Sequence, residues 1–136
     1  MLVDPASLME SGEEIVHSRV IPENPGVLGP WPEWVAPALR SSLQEHGIES
    51  LWKHQVDFAN SAQTRTDSIL ATGTATGKTI AFNTPAITAT LNGGTVIYLS
   101  PTKALAADQL ETLNSWHVPG LRAGVYDGDT SHENRQ

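Results

Sequence analysis

One stretch constrains this chain more than any other: residues 68–80, S-I-L-A-T-G-T-A-T-G-K-T-I. Ser68, Ile69, Leu70 and Ala71 suit a short strand, a Gly/Thr-rich turn follows, and after Gly77, Lys78 and Thr79 the apolar spacing becomes helical. Strand, turn and helix in that order make a phosphate-binding loop. Gly73 and Gly77 let the backbone approach a phosphate closely and turn its N–H groups inward. The following helix offers its positive end, Lys78 adds a point charge, and the Thr79 hydroxyl is a candidate Mg²⁺ ligand. The regular pattern G-x-x-x-x-G-K-[ST] is missed by one place, because Thr72 stands where its first glycine belongs and the glycine is at 73. The candidate nucleotide-binding residues are therefore Thr72, Gly73, Thr74, Ala75, Thr76, Gly77, Lys78 and Thr79. A glycine-containing strand-to-helix connection carrying an ordinary lysine is the plainer reading, and the order of elements argues against it.

The flanking segments define an alternation. Residues 79–91 form the expected helix after the loop, with Ile80, Phe82, Ile87 and Leu91 for packing, Pro85 predicting a kink or early break, and Asn92, Gly93 and Gly94 ending it. Residues 95–99 (T-V-I-Y-L) are β-branched and apolar, the pattern of a strand buried on both faces. Ser100, Pro101, Thr102 and Lys103 turn into another helix, with Ala104, Leu105, Ala107, Leu110 and Leu113 apolar and Trp116 closing the pattern. Residues 121–126 give a third strand. The order β-α-β-α-β predicts an α/β fold, a parallel sheet with flanking helices, its loops gathered at the carboxyl ends of the strands.

Upstream, Val35, Leu39 and Leu43 fall four apart and mark a short helix that Gly47 ends. A second helix takes Leu51, Trp52, Val56, Phe58 and Ala59 as its apolar positions, with His54 and Gln55 near its start. An amide held there, just before the phosphate loop, is suited to reading an adenine edge, although a helix-surface glutamine commonly has no such role. Residues 21–37 hold five prolines with Trp31 and Trp34 among them, an extended Pro/Trp-rich arm whose indoles are expected to anchor it to its own domain, with a partner-binding segment as the alternative reading. Residues 1–20 are acidic and aperiodic and read as a flexible tail.

Charge matters to the choice of partner. Eight Lys+Arg against fifteen Asp+Glu give a net of -7, which argues against a generally basic nucleic-acid-binding surface. The excess is uneven: residues 1–34 hold six acids and only Arg19, so the remainder is nearly balanced. There is no cysteine, and no stretch has the character of a signal peptide or a membrane span, so a cytoplasmic protein without membrane contact is the expectation.

The ordered set of motifs resembles the beginning of a superfamily 2 DEAD/DEAH-box helicase. L-W-K-H-Q (51–55) is similar to the Q motif, A-T-G-T-A-T-G-K-T (71–79) to motif I, P-T-K-A-L-A-A-D-Q (101–109) to motif Ia and Y-D-G-D-T (126–130) to motif Ib. The variant loop, W-P-x-W at 31–34 and the pattern of 47–55 resemble a narrower branch, the bacterial DNA-repair helicases related to RecQ-like fungal enzymes. The resemblance implies a partial RecA-like P-loop NTPase domain over 38–136, preceded by the arm. It implies ATP and Mg²⁺ as cofactors, with Lys78 and Thr79 catalytic, Thr79 on the metal and Gln55 at the adenine. It also implies that Pro101, Thr102, Lys103, Gly128, Asp129 and Thr130 grip the backbone of nucleic acid, most naturally single-stranded DNA. Contacts of that kind reconcile an acidic total with a DNA partner.

A helicase lobe of this kind also needs an Asp-Glu motif for Mg²⁺ and arginines from a second lobe. Neither occurs in the 136 residues, so the expectation is an amino-terminal piece of an ATP-dependent DNA helicase, inactive in hydrolysis by itself and completed by the rest of the motor. An unrelated P-loop NTPase or kinase, and a non-catalytic nucleotide-binding module, remain as alternatives.

Overall fold

The computed structural model describes residues 26–73, 76–128 and 130. The expected acidic tail over 1–20 and the first residues of the arm lie outside the described residues, as do Thr74, Ala75 and Asp129. The elements in order are β1 (Leu28–Gly29), α1 (Pro37–Glu45), β2 (Leu51–Trp52), α2 (Lys53–Gln63), α3 (Lys78–Leu91) and α4 (Lys103–Ser115).

Local rules account for the helix ends. Pro37 opens α1, where its missing N–H costs no intrahelical bond. Gly47, at φ +80°, closes it: Ile48 N–H reaches back to Leu43 O at 2.9 Å and Gly47 N–H to Gln44 O at 2.9 Å, the paired bonds of a left-handed helix stop. The same pair ends α3, with Gly94 N–H on Ala89 O (2.9 Å) and Gly93 N–H on Thr90 O (3.0 Å). At the start of α4 the Thr102 hydroxyl accepts from Leu105 N–H.

Pro85 does not break α3, contrary to the sequence expectation; the helix runs unbroken from Lys78 to Leu91. Ala81, Asn83, Thr84, Ile87 and Thr88 are buried on both sides of the proline, so packing holds the turns together where one backbone bond is missing. Leu51 and Trp52 also depart from expectation. They form β2, paired antiparallel with β1 in the register Leu28 to Trp52 and Gly29 to Leu51, and the helix begins only at Lys53.

The core is built by α1 laid against α3 and the end of α4. Val35, Leu39, Leu43, Ile87, Trp116 and Val118 are its buried members, with Trp31, Trp34, Ile80, Leu91 and Leu113 packed around them. Both indoles upstream find hydrogen-bond partners: Trp31 Nε1 donates to Glu49 O and Trp34 Nε1 to Asn60 Oδ1, each at 2.8 Å. The Arg40 guanidinium lies over the Trp31 ring at 5.9 Å. The described part of the Pro/Trp-rich segment is thus held against α1 and α2, with Ala36 N–H donating to the buried Thr88 hydroxyl of α3.

The parallel sheet is where the structure departs most from the sequence reading. Among the described residues the only paired strands are β1 and β2, and they are antiparallel. Runs 68–71, 95–99 and 121–126 carry no ladder bonds, and residues expected to be buried stand in solvent: Ile69 is 95% exposed, Ile97 80% and Leu99 87%. The physical reason is that a β-branched apolar run becomes a doubly buried strand only when neighbouring strands supply both hydrogen bonds and covering side chains. Among the described residues these three runs have no ladder partner. Run 95–99 does rest on α3, where the Tyr98 and Phe82 rings stack at 5.2 Å.

Candidate functional site

The turn before α3 ends at Gly77, whose left-handed conformation (φ +69°, ψ 32°) caps α3 and lets Lys78 begin the helix. That places the positive end of a fourteen-residue helix, an ammonium and the half-buried Thr79 hydroxyl at one point. Lys78 Nζ donates to Thr72 O at 2.9 Å, to Gly73 O, and to Thr72 Oγ1 at 3.5 Å. The Thr72 and Thr76 hydroxyls meet at 2.7 Å, and Thr76 Oγ1 donates to Gly73 O at 3.0 Å.

The first turn of α2 holds the loop from the other side. Gln55 is only 2% exposed, and its side chain is engaged at both ends. Oε1 accepts from Trp52 N–H at 2.9 Å; Nε2 donates to Gly77 O at 2.9 Å and toward Thr76 O at 3.4 Å. Beside it, His54 Nε2 lies 3.0 Å from Thr76 O. A carbonyl only accepts, so this ring nitrogen carries the proton. Sequence reasoning placed Gln55 near the nucleotide; the structure shows its amide turned onto the loop backbone, fixing the loop against α2. The contact also explains why position 77 is glycine, since a Cβ there would lie 2.4 Å from Gln55 Nε2.

A cavity of about 630 Å³ opens beside the loop, between Gly26, Val27, Trp52, Lys53, His54 and Thr76. A larger one, about 810 Å³, lies elsewhere, between α3, α4 and the runs 96–102 and 121–127. Its walls are the segments without ladder partners, and Asn83 Nδ2 and Gln109 Oε1 on those walls are buried without a hydrogen bond. The smaller cavity adjoins the turn before α3 through Thr72 and Thr76.

The predicted nucleic-acid residues form a second group. Thr102 caps α4, Lys103 is its first residue, and Pro101 is exposed beside them. Lys103 Nζ faces Asp127 Oδ2 at 3.8 Å. Asp127 in turn closes the next turn: its N–H donates to Thr130 Oγ1 at 2.8 Å, and Thr130 N–H returns to Asp127 O at 3.2 Å, with exposed Gly128 between them. Lys103 and the turn formed by Asp127, Gly128 and Thr130 are thus brought together through Asp127, which the sequence placed in the candidate loop 127–130 but gave no partner. Y-D-G-D-T contains this aspartate, but its lysine partner at the start of α4 is set by tertiary approach. Among the described residues no group of three or more histidine, cysteine or acidic side chains is arranged to hold a metal.

Comparison with known proteins adds the following. The sequence profile of the DEAD/DEAH box helicases matches residues 52–136. The chain is 31% identical to YprA, an uncharacterised ATP-dependent helicase of Bacillus subtilis, over 99% of this chain and 19% of the relative. It is 34% identical to the ATP-dependent helicase hrq1 of Schizosaccharomyces pombe, over 65% of this chain and 9% of the relative. Among solved structures it is similar to the DUF1998 helicase MrfA bound to DNA, with a TM-score of 0.79 and 32% identity over 96% of this chain and 19% of that one. The same helicase bound to DNA and AMPPNP gives a TM-score of 0.71 at 33% identity, over 81% and 16%. The chain spans about a fifth of the length of YprA and less than a tenth of hrq1.

Proposed function

The chain belongs to the DEAD/DEAH box helicase family, and on that premise we propose that it supplies the ATP-binding part of an ATP-dependent DNA helicase. In this reading residues 38–136 belong to a first RecA-like lobe, preceded by the Pro/Trp-rich arm 21–37 and the acidic tail 1–20. Runs 68–71, 95–99 and 121–126 take their places in the parallel sheet of the assembled lobe, which supplies the ladder partners they lack here.

The observation that carries the proposal is the meeting of Lys78, Thr79 and the left-handed Gly77 at the start of α3. Helix end, ammonium and hydroxyl together fit a phosphate chain with its metal. Lys78 would hold the β- and γ-phosphates, Thr79 would give its hydroxyl to Mg²⁺, and backbone N–H groups of the turn before α3 would serve the phosphates. Gln55 is proposed to hold that backbone in place, and to sense the adenine once its buried amide turns away from Gly77 O. When bound, the metal supplies positive charge that offsets charge developing on the transferred phosphoryl group. Pro101, Thr102, Lys103, Gly128, Asp129 and Thr130 are proposed to hold the backbone of single-stranded DNA; the DNA-bound structures of a related helicase support this. No helix among the described residues is long and apolar enough to cross a membrane, which is compatible with the proposed cytoplasmic location.

The test is DNA-stimulated ATP hydrolysis by a protein that carries this segment together with a second motor lobe. Lys78→Ala should abolish turnover while leaving the protein folded. Turnover that survives Lys78→Ala would overturn the proposal.

A further inference from the structure

The phosphate loop holds its own lysine. An ammonium has three N–H donors, and those of Lys78 are matched by three acceptors inside the loop: Thr72 O, Gly73 O and Thr72 Oγ1. The hydroxyls extend this into a closed circuit. Thr76 Oγ1 donates its one proton to Gly73 O, so in the 2.7 Å contact between the two hydroxyls Thr72 is the donor. Lys78 therefore donates to Thr72, Thr72 to Thr76, Thr76 to the Gly73 carbonyl, and that same carbonyl also accepts from Lys78. Hydrogen bonds in such a chain polarise and strengthen one another.

The circuit depends on the residue at which this loop departs from the common pattern. Thr72 stands at the place of the first glycine, and a glycine there has no hydroxyl to give to Thr76 or to receive Lys78. We propose that Thr72 and Thr76 are positioning residues that hold the Lys78 ammonium on the loop's own carbonyls, so that the phosphates of a nucleotide must displace these acceptors to engage it. The hydroxyl pair then lowers phosphate affinity relative to a loop without it. The second half of this statement rests on the reading of the loop as a phosphate site; the first half does not.

Two readouts on the full chain separate these halves. The sequence has only three lysines, Lys53, Lys78 and Lys103, so amine acetylation by limiting N-hydroxysuccinimidyl acetate can be followed residue by residue in a peptide mass spectrum. Thr72→Val keeps the shape of the side chain and removes the hydroxyl; Thr76→Val does the same at the other end. Each should raise labelling of Lys78 relative to exposed Lys53 by about three- to tenfold, the net weight of one ordinary hydrogen bond, since the ammonium's contact with the Thr72 hydroxyl is long at 3.5 Å, and Thr72→Ser should bring it back toward wild type. Calorimetric titration with Mg-ADP should show tighter binding in both valine variants by a similar factor. Unchanged Lys78 labelling in both valine variants would overturn the proposal whatever the nucleotide result. Raised labelling with weaker Mg-ADP binding would also overturn it, because the hydroxyls would then be serving the phosphate. Raised labelling with no Mg-ADP binding by any variant would support the hold on Lys78 and remove the phosphate-site reading instead.

Discussion

Replacing Gly77 by alanine adds a single methyl group, and the structure indicates a large cost with two separable sources. At φ +69° and ψ 32° the backbone lies in the left-handed region, where an L side chain costs about 1–2 kcal/mol. The new Cβ would also fall 2.4 Å from Gln55 Nε2, so the amide must withdraw from Gly77 O. Gln55 is 2% exposed, so the withdrawn group finds no water, and a buried polar group left unpaired costs about 1–3 kcal/mol. Gly77→Ala should therefore destabilise the chain by about 2–5 kcal/mol in urea unfolding. Gln55→Ala removes the obstacle. In that background Gly77→Ala should retain only the backbone cost, leaving a coupling of about 1–3 kcal/mol between the two positions. If Gly77→Ala costs the same in both backgrounds, the contact between α2 and the loop is not what selects glycine, and the role given to Gln55 fails.

Two further outcomes follow from the packing and the second residue group. Leu39 is fully buried between α1 and α3, so Leu39→Ala should cost about 2–5 kcal/mol on the same unfolding assay, and a loss below 1 kcal/mol would mean α1 is not part of the core. In a protein carrying both motor lobes, Lys103→Ala should weaken single-stranded DNA binding equally for all sequences and flatten the salt dependence by about one unit of slope, leaving ATP binding near wild type. An unchanged slope, or altered preference at one base position, would return Lys103 to the role of a solvated residue paired with Asp127.

The parts of this fold that were legible in the sequence are those set by neighbours in the chain. The turn into α3 at Gly77, the glycines that stop α1 and α3, and the spacing of Val35, Leu39 and Leu43 all obey rules that act within a few residues. The indole anchors of Trp31 and Trp34 were legible in kind but not in partner, because Glu49 and Asn60 are reached only across the fold. The parallel sheet was not realised here for the same reason. Val96, Ile97 and Leu99 have strand character, yet a ladder requires a second chain segment at the right distance, and none is paired with them among the described residues. The reading of Leu51 and Trp52 as helical failed because β1 captures them before the helix starts. At the site, the residue types were legible while their directions were not. Gln55 was singled out, but its grip on the Gly77 carbonyl, the His54 bond to Thr76 and the Asp127 link to Lys103 all depend on tertiary approach.

In the proposed function the turn before α3 binds a nucleotide's phosphates through Lys78. Calorimetric titration of Mg-ADP into the chain and into Lys78→Ala tests it most directly, since it needs neither hydrolysis nor DNA. The wild type should bind saturably and the variant should lose about 2–3 kcal/mol, roughly thirtyfold to 150-fold in affinity, as expected for one charged hydrogen-bonding group. Equal, measurable affinities in the two proteins would show that Lys78 is not at the phosphates and would contradict the account.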